Sequence, residues 1–525
     1  MIAQLGTPAQ ARRAARSRYK ETAEIIFMPA DLPLNFPPIL DSVRAALPAG
    51  LTVYLAGGAV RDALLGRRVH DLDFVVEREA IKTARSVANT LMADFYPLDT
   101  ERDTGRIIVT NQDGSRTVMD FASFRGPDLE ADLRGRDFTL NAIALNLRAT
   151  TLHDPLGGAM DLKEKRLRAC SASAFTDDPL RILRGVRLAA NFGFSILPET
   201  RKAMKAAAGL LENTSPERIR DELFRILDGL QPAACLRALD LLGALDKLLP
   251  ELSALKGVQQ PAPHVHDVWE HTLAVLNHLE AVLRALAPDY NPETASDLLN
   301  GLMVLRIGRY RQQIGDILAA GLTADRSLRS LLFLAALYHD VAKPLTRKTD
   351  EAGQLRFWDH DQQGAEIAAR RGRALAMSKD ETTRLETVIR NHMRILFHAN
   401  RLVQAGRQPS RRAVYRFFRA VGPAGVDVCL LTLADMRATY EQTLPQETWA
   451  AALEVVRLML ENWFEKPAES IAPPPLVNGD DLIGELKLQP GQIIGEMLEA
   501  IREAQAMGDV STRQQALELA RKRIV

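Results

Sequence analysis

The sequence predicts an α+β protein in which a small head with a mixed β-sheet precedes a long helical body. Beyond about residue 175, apolar residues recur at spacings of three and four, the period of amphipathic helices. Two proline-rich breaks, at residues 260–263 and 472–475, predict linkers. Before that body, five short β-rich runs alternate with helical stretches: Thr52–Ala56, Asp71–Val76, Ile107–Thr110, Thr117–Ala122 and Ala142–Leu147.

Length, charge and cysteine content restrict the possible classes of protein. The 525 residues predict three to four domains at roughly 150 residues each. Lys plus Arg (67) nearly equals Asp plus Glu (66), so any surface that binds nucleic acid must be a local patch. Three distant cysteines exclude a disulfide framework and a thiolate zinc site, and they favour a cytoplasmic location: Cys170, Cys235 and Cys429.

The length of the apolar stretches and the composition of the amino-terminal arm give two further expectations. No apolar stretch approaches about 18 uninterrupted residues, so the sequence predicts no membrane span. The amino-terminal arm, residues 1–45, is basic at its start and lacks the apolar segment of a secretory signal. We expect this arm to be a disordered, solvated tail, with a transit peptide or an RNA-contacting arm as the alternatives.

A glycine pair at a strand-to-helix turn is the first candidate for phosphate binding. Gly57 and Gly58 follow the first β-rich run and precede a helical stretch that carries Arg61. Glycines at such a turn let backbone N–H groups approach a phosphate, and the guanidinium adds a cation one turn later. This signal is weak alone, because purely structural turns of this kind are common.

Two aspartates at the start of the next strand indicate metal-dependent chemistry. The period of two places the carboxylates of Asp71 and Asp73 on one face of the strand. Like charges this close repel unless cations lie between them, and Mg²⁺ prefers carboxylate and phosphate oxygens. Asp120, in another apolar strand, is the candidate third carboxylate. A solvated strand end is the alternative, but the order of the motifs favours phosphoryl transfer with two Mg²⁺ ions.

These motifs resemble the class II tRNA nucleotidyltransferase and bacterial poly(A) polymerase family over roughly residues 45–240. The resemblance implies a polymerase-β-like head at residues 46–170 and a helical neck at 171–240 that recognises the base and binds RNA. It also implies a charged, mobile loop at residues 99–106. The residues implied to bind the nucleotide are Gly57, Gly58, Arg61, Arg136, Asp137, Asn141, Asp178, Arg181 and Arg184.

Asp178 and Arg181 form the candidate base-recognising pair. Their spacing of three places them on one face of a helix. A carboxylate accepts from an exocyclic amine and a guanidinium donates to ring acceptors, so the pair can recognise adenine and cytosine without a template. An ordinary surface ion pair is the alternative. The family usually has Glu at the position of Asp177, a departure that leaves the pair intact.

A second constellation lies in the body, which we divide into an HD domain at residues 241–465 and a helical tail at 476–525. Four residues resemble, in their order, the ligands of HD metal-dependent phosphohydrolases: His271, His339, Asp340 and Asp435. Such ligands suit a divalent ion that activates water, and its identity stays open. His360 and His392 lie where binuclear members carry further ligands. The other histidines, including His264, are interpreted as core or surface residues.

The HD resemblance implies phosphatase or cyclic phosphodiesterase chemistry on RNA ends or nucleotides, with a purely structural or RNA-holding domain as the alternative. Residues 401–420 contain six arginines and no acid. Arg412, Arg416 and Arg419 share one helical face, which predicts either RNA binding by counterion release or a solvated face. The tail resembles the terminal helices of HD-containing tRNA nucleotidyltransferases.

The sequence therefore predicts a template-independent nucleotidyltransferase that adds or repairs the 3′-terminal CCA of tRNA. Its expected partners are the tRNA 3′ end, CTP and ATP, with no membrane and no obligate protein partner. Enzymes that add poly(A), only CC or only A remain alternatives, because they use nearly the same motifs. Alternatives from other classes are an HD phosphohydrolase with a non-catalytic RNA-binding head, and a pure RNA-binding scaffold. The intact Asp71–Asp73 pair disfavours the former.

Overall fold

A computed structural model describes residues 25–26, 34–69, 71–111, 116–291, 297–323, 326–487 and 489–524. Most of the predicted arm at residues 1–45 lies outside these ranges. Its last part is not a solvated tail, because Ile39–Ala46 forms helix α1 with Leu40 and Val43 buried. The chain divides into two compact units, residues 1–210 and 211–525, and each is described by itself.

The first unit is built on an eight-stranded sheet with the order β1-β8-β7-β2-β3-β6-β5-β4. The predicted mixed sheet is confirmed, because β3 and β6 pair in parallel while the other neighbours pair antiparallel. The strands are β1 Ile25–Ile26, β2 Val53–Ala56, β3 Leu72–Val76, β4 Asp94–Asp99, β5 Thr104–Thr110, β6 Arg116–Ser123, β7 Ala144–Asn146 and β8 Leu152–His153.

Helices cover and extend this sheet. They are α2 Gly58–Leu64, α3 Ala80–Leu91, α4 Leu129–Arg134, α5 Gly158–Lys163, α6 Ala174–Asp177, α7 Arg181–Phe192 and α8 Pro198–Ala207. A short parallel pair, β9 Arg166–Leu167 and β10 Ser195–Ile196, joins the segment between α5 and α6 to the segment between α7 and α8. The predicted mobile loop at residues 99–106 is instead the tight β4–β5 hairpin, whose strands pair from Asp94 to Asp99.

Asp103, in the hairpin turn, fixes the start of α3. Its carboxylate accepts hydrogen bonds from the backbone N–H groups of Ala80 (2.7 Å) and Ile81 (3.1 Å) and from the hydroxyl of Ser123. Burial alone would raise the pKa of Asp103, but these hydrogen bonds hold it below its ordinary value of 3.8. The hairpin and the helix are therefore joined by one ionised side chain.

Asp103→Asn is expected to destabilise the start of α3 by about 1 kcal/mol at neutral pH, the usual value of a lost N-terminal cap. A lowered pKa in the folded state stabilises above the ordinary pKa and is lost as the pH falls through the folded value. The difference between wild type and variant should therefore shrink below about pH 4. Hydrogen exchange at the amides of Ala80 and Ile81, compared between wild type and variant at each pH, measures this difference in stability. The exposed Asp94→Asn is the matched control, and equal exchange in all three proteins would contradict the prediction.

The second unit is mostly helical. Its helices are α9 Pro216–Asp228, α10 Pro232–Leu241, α11 Leu245–Leu248, α12 Val268–Ala285, α13 Leu298–Ile307, α14 Arg311–Ala319, α15 Leu328–Tyr338, α16 Lys343–Thr346, α17 His360–Ala374, α18 Lys379–Asn391, α19 Met393–Ala405, α20 Arg411–Val421, α21 Gly425–Tyr440, α22 Gln446–Phe464, α23 Pro467–Ser470, α24 Gly479–Leu486, α25 Gln492–Met507 and α26 Arg513–Ile524.

The sequence predicted an entirely helical body, but the structure also has two small antiparallel strand pairs there. These are β11 Gly321–Thr323 with β12 Arg326–Ser327, and β13 Arg347–Thr349 with β14 Leu355–Phe357. The last three helices of the tail enclose their own apolar cluster, which includes Leu482, Met497 and Ala516. Overall, the predicted α+β class, with a mixed-sheet head followed by a helical body, is confirmed.

One described stretch, Arg411–Thr443, is long and apolar enough to resemble a membrane-spanning helix. It comprises α20 and α21, separated at Gly422, and 78% of its most apolar window is buried within the protein. Burial of this kind is typical of the core helix of a globular domain. The segment also carries Asp435, a member of the cluster described below.

Candidate functional site

Three carboxylates predicted from the sequence meet around β3. Asp73 lies directly opposite Asp120 in the parallel register of β3 and β6. Asp71 immediately precedes β3, and both Asp71 and Asp73 are exposed while the intervening Leu72 is buried. The alternation therefore turns Asp71 and Asp73 to the same, open face.

The electrostatics around Asp73 favour a bound cation. The protein around the carboxylate partly desolvates it and raises its pKa, although the side chain keeps solvent access. The negative charges of Asp120 and Asp71 raise this pKa further, against the lowering influence of Arg136 and Arg184. A divalent cation would relieve this repulsion, and an all-oxygen donor set fits Mg²⁺.

Asp120 has a strong protein partner that the sequence did not reveal. Arg106 of β5 donates from Nε and Nη2 to the two carboxylate oxygens of Asp120, both at 2.7 Å. This bidentate pair raises the pKa of Arg106. Alternation along β5 was visible in the sequence, but the cross-strand register that pairs residue 106 with residue 120 was not. Asp120 is therefore held in place by a fixed cation beside Asp73.

The glycine pair brings the backbone close to these groups. Gly57 has φ +77°, and a Cβ there would lie 3.0 Å from Nη1 of Arg136 and 3.7 Å from Oδ2 of Asp73. Only glycine combines this backbone conformation with such a close approach. Gly58 begins α2, one turn before Arg61. The N–H of Gly57 already donates to the carbonyl of Ile143 (3.3 Å), so this donor is engaged within the protein.

The remaining predicted nucleotide-binding residues form one connected network. Arg61 donates to Oδ1 of Asn141 (2.7 Å), and Nδ2 of Asn141 donates to Oδ1 of Asp137 (3.0 Å). Nη2 of Arg184 lies 3.0 Å from Oδ2 of Asp137. Burial alone would raise the pKa of Asp137, but Arg184 and the hydrogen bond from Asn141 keep it low. The structure thus joins α2, the segment after α4, and α7.

The predicted base-recognising pair does not share one helical face. Asp178 follows α6 in an extended conformation, and α7 begins only at Arg181. The intervening Pro179 explains the break, because proline disfavours the helical conformation in the residue before it. Arg181 donates to the backbone carbonyls of residues 135, 136 and 174. Arg181 and Arg184, by contrast, lie one turn apart on α7.

All six predicted HD residues come together in the second unit. His271 of α12, the His339–Asp340 pair at the end of α15, and Asp435 of α21 are buried. Nε2 of His271 lies 3.1 Å from Asp435 and 3.6 Å from Asp340. Nε2 of His339 lies 3.1 Å from Asp340. Three buried imidazole nitrogens, both of His271 and Nε2 of His339, lack a hydrogen-bond partner among the described residues.

His360 and His392 form a second group around the other oxygen of Asp340. Their Nε2 atoms lie 3.5 Å and 4.0 Å from Oδ1 of Asp340 and 3.3 Å from each other. Two sets of three residues have ligand atoms within 4.8 Å of one another, a spacing that one metal ion can span: His271, His339 and Asp340, and Asp340, His360 and His392. Burial lowers the pKa of His392 to about 4, which keeps this imidazole in the neutral form that binds metals.

Backbone carbonyls fix the orientation of three of these histidines. Nδ1 of His339, His360 and His392 each hydrogen-bonds the carbonyl three residues earlier, at 2.7–2.8 Å. Such contacts set the tautomer and direct Nε2 toward the centre of the cluster. The donor set of imidazoles and carboxylates, with its unsatisfied buried nitrogens, fits a divalent transition-metal ion.

Sequence reasoning missed two residues of this region. His264, interpreted as a core or surface residue, packs edge-on against His271 with ring centroids 5.2 Å apart. Lys343 is buried and its Nζ lies 2.6 Å from Oδ2 of Asp340. Burial alone would raise the pKa of Asp340, but His339 and Lys343 hold it well below its ordinary value. The spacing Asp340-x-x-Lys343 was the available signal for Lys343.

The predicted RNA-binding arginines have partners within the chain. Arg412 and Arg416 of α20 lie 2.9 Å from Glu503 of α25, and Arg419 lies 2.9 Å from Glu499. Tyr415 also donates to Glu499 (2.9 Å). The basic stripe is therefore an interface with the tail, although each arginine side chain keeps more than half of its surface exposed.

Four family models match consecutive parts of the chain. The Poly A polymerase head domain matches residues 53–168, and the model described as "Probable RNA and SrmB-binding site of polymerase A" matches 193–256. The HD domain matches residues 268–435, and tRNA nucleotidyltransferase domain 2 matches 471–520. These matches follow the order head, neck, HD domain and tail.

The A-adding tRNA nucleotidyltransferase of Deinococcus radiodurans is 34% identical over 471 residues, which are 88% of this chain and 93% of that protein. The chain belongs to the tRNA nucleotidyltransferase family. The CC-adding tRNA nucleotidyltransferase of Thermus thermophilus is 33% identical to this chain over 471 residues, which are 88% of this chain and 91% of that protein. The resemblance inferred from the sequence is confirmed, and this tRNA nucleotidyltransferase is an enzyme.

A solved structure shows that this tRNA nucleotidyltransferase shares its fold with a known enzyme. The Thermotoga maritima CCA-adding enzyme, solved in complex with tRNA, aligns with a TM-score of 0.56 at 22% identity. The alignment covers 94% of this chain and 97% of that one. Membership of this family disfavours a non-catalytic head and a pure RNA-binding scaffold.

Proposed function

We propose that this enzyme completes or repairs the 3′-terminal CCA of tRNA from CTP and ATP. The observation that carries the proposal is the placement of Asp73 opposite Asp120, with Asp71, Gly57 and Arg136 beside them. Carboxylates that repel one another next to a cationic side chain and a close backbone turn are suited to a metal–triphosphate complex. The catalytic residues of the proposal are Asp71, Asp73 and Asp120.

In this proposal Asp71 and Asp73 hold two Mg²⁺ ions. When bound, these ions lower the pKa of the RNA 3′-hydroxyl and neutralise charge on the α-phosphate. Arg106 fixes the carboxylate of Asp120 beside them. Arg136 and Arg184, the cations that act on Asp73, bind the triphosphate. The network of Arg61, Asn141 and Asp137 positions Arg184 and contacts the sugar.

Base selection is assigned to Asp178 and Arg181, which flank the break at Pro179. The break places one partner on each side of a helix start, so the two side chains approach the base from different backbone directions. The guanidinium has five N–H donors, and its contacts with three carbonyls leave donors for a base. ATP and CTP both present an amino group beside a ring acceptor, which fits this pair.

An enzyme restricted to CC or to A is the second candidate. The observation that favours it is that relatives aligned along nearly their whole length include A-adding and CC-adding enzymes. A specialist enzyme would use the same carboxylates and arginines of this chain in the same chemistry. A specialist would differ in the RNA end that it accepts and in the nucleotide that it adds there.

Nucleotide incorporation on three tRNA transcripts, with Mg²⁺, tests the proposal. The transcripts end at the discriminator base, after the second C and after the terminal A, and CTP and ATP are supplied singly and together. We expect two C and one A on the first, one A on the second, and none on the third. Arrest after two C, or addition of A to the second transcript alone, would establish a specialist. Long A tails on every end would indicate a poly(A) polymerase, and no incorporation would refute the head assignment.

For the HD domain we propose one divalent ion held by His271, His339, Asp340 and Asp435, with His360 and His392 available to a second. A bound ion would supply an activated water for hydrolysis of a phosphoester. Lys343 supports this use, because its ammonium lies at the edge of the cluster, where it can contact a phosphate. The identity of the ion is an open part of the proposal.

RNA contact by Arg412, Arg416 and Arg419 also stays a proposal, limited to the exposed halves of their side chains. The cytoplasm is the proposed compartment, supported by three free cysteines: Cys170, Cys235 and Cys429.

A further inference from the structure

A pocket of about 460 Å³ opens next to the HD cluster. Its lining includes cluster members, Lys343 and three further charged residues, as well as a group of apolar side chains; the charged residues are Asp340, Asp435, Lys343, Arg356, Asp359 and Asp361. The apolar lining comprises Pro261, Pro263, Leu355, Phe357, Trp358, Met393, Leu396 and Met436. A pocket that combines cationic and metal-ligating groups with apolar side chains suits a ligand with an anionic part and a flat, weakly polar remainder.

Trp358 is the unusual residue of this lining, because 54% of its surface is exposed. Trp269 and Trp449 are 4% and 0% exposed, and Trp463 stacks on Phe418 at 5.2 Å. A solvent-exposed indole beside a polar cluster contributes little to the stability of the hydrophobic core. It offers a flat ring to a ligand instead.

The backbone ties Trp358 closely to the cluster. Trp358 follows β14 and lies two residues before His360, and the left-handed conformation of Asp359 (φ +61°) turns the chain between them. The carbonyl of Phe357 accepts from Nδ1 of His360, and Lys343 lies over the Phe357 ring at 5.6 Å. The exposed indole is therefore held at a fixed offset from the cluster.

We propose that Trp358 stacks on the base of a phosphorylated nucleoside whose phosphate lies at Lys343 and the HD cluster. This inference rests on the proposed metal site and deepens it. Stacking on an aromatic ring tolerates every base, because each base has a π-face. The site is therefore expected to distinguish a nucleoside phosphate from a sugar phosphate, and to discriminate little among the four bases.

Tryptophan fluorescence of the full chain, loaded with Mn²⁺ as the probe ion, gives a readout other than activity. The four tryptophans all lie between residues 269 and 463, so none belongs to the head. We expect all four nucleoside 5′-monophosphates to quench the wild type with affinities within about threefold. Ribose 5-phosphate should bind about tenfold more weakly, within the range of base–aromatic stacking.

Variants at position 358 decide the role of the indole, with binding measured by calorimetry. Trp358→Ala should weaken nucleoside monophosphate binding about tenfold and leave ribose 5-phosphate unchanged, whereas Trp358→Phe should retain most of the affinity. The control is Leu305→Ala, an exposed apolar residue of α13 outside the pocket lining. Equal nucleotide affinity in wild type and Trp358→Ala would overturn the stacking proposal.

Two further arms separate the other outcomes. If Mn²⁺ binds and nucleotide affinity is independent of Trp358, only the stacking proposal fails. If neither Mn²⁺ nor phosphate binds, the metal assignment fails and the stacking proposal with it. A tRNA transcript with a terminal phosphate is titrated alongside the mononucleotides. Quenching by that RNA alone would assign the same site to an RNA end rather than to a free nucleotide.

Discussion

Asp73→Asn is expected to lower the rate of nucleotide incorporation about a thousandfold or more. The substitution removes the charge that a metal ion needs, and metal stabilisation of a phosphoryl transition state is worth several kcal/mol. Asp73 lies opposite Asp120 in the parallel register of β3 and β6. Burial and the negative charge of Asp120 raise the pKa of Asp73. Single-turnover incorporation of CTP onto a tRNA transcript that lacks CCA measures the effect.

Loss of activity in this variant is not expected to come from loss of folding. A carboxylate whose pKa is raised in the folded state destabilises that state when ionised, so the neutral Asn should maintain or increase stability. Glu77→Gln, an exposed acid directly after β3, is the matched control and should keep full activity. An Asp73→Asn enzyme within tenfold of the wild-type rate would refute the assignment of this carboxylate.

Asp340→Asn is expected to reduce metal binding by the HD domain at least about a hundredfold while leaving CTP and ATP incorporation within twofold of wild type. In the part of the chain that the structure describes, Asp340 is the one residue shared by the group of His271 and His339 and the group of His360 and His392. Its substitution therefore removes a carboxylate ligand from each group. Calorimetric titration of Mn²⁺ into the metal-free full chain measures this loss. Incorporation on tRNA is followed in parallel.

The buried Lys343 requires a second variant. Removing the charge of Asp340 leaves this lysine unpaired, at a cost of about 3–5 kcal/mol for a broken buried ion pair. Asp435→Asn removes a ligand of the same cluster and leaves Asp340 opposite Lys343. His398→Gln, on α19 and outside both groups, is the control. Unchanged Mn²⁺ affinity in both aspartate variants would exclude the metal site.

The sequence predicted five of the eight strands of the head sheet and the proximity of Asp71, Asp73 and Asp120, because period-two alternation and turn glycines are local signals. Strand β4 was missed, since Pro97 and several polar residues disguise an edge strand. Arg106 was missed for a different reason. Its pairing with Asp120 depends on the register between two strands, and register is a tertiary property.

The HD residues could be predicted as a set, since each type is rare and chemically specific, but their division around the two oxygens of Asp340 could not. Asp178 and Arg181 show the opposite case. Spacing alone predicted one helical face, and Pro179 between them carried the information that breaks the helix. The tail contact of Arg416 depends on acids 87 residues later, beyond any local pattern.

The pairing of the arginine stripe with Glu499 and Glu503 bears on how fast RNA can find this face. Two carboxylates beside three guanidinium groups reduce the net charge of this patch from +3 to +1, and the remaining charge is screened beyond the Debye length, which is about 10 Å in 0.1 M salt. A diffusing polyanion therefore experiences little attraction toward α20 while the tail lies against it. Encounter at this face should therefore depend less on ionic strength than it would for three unpaired arginines.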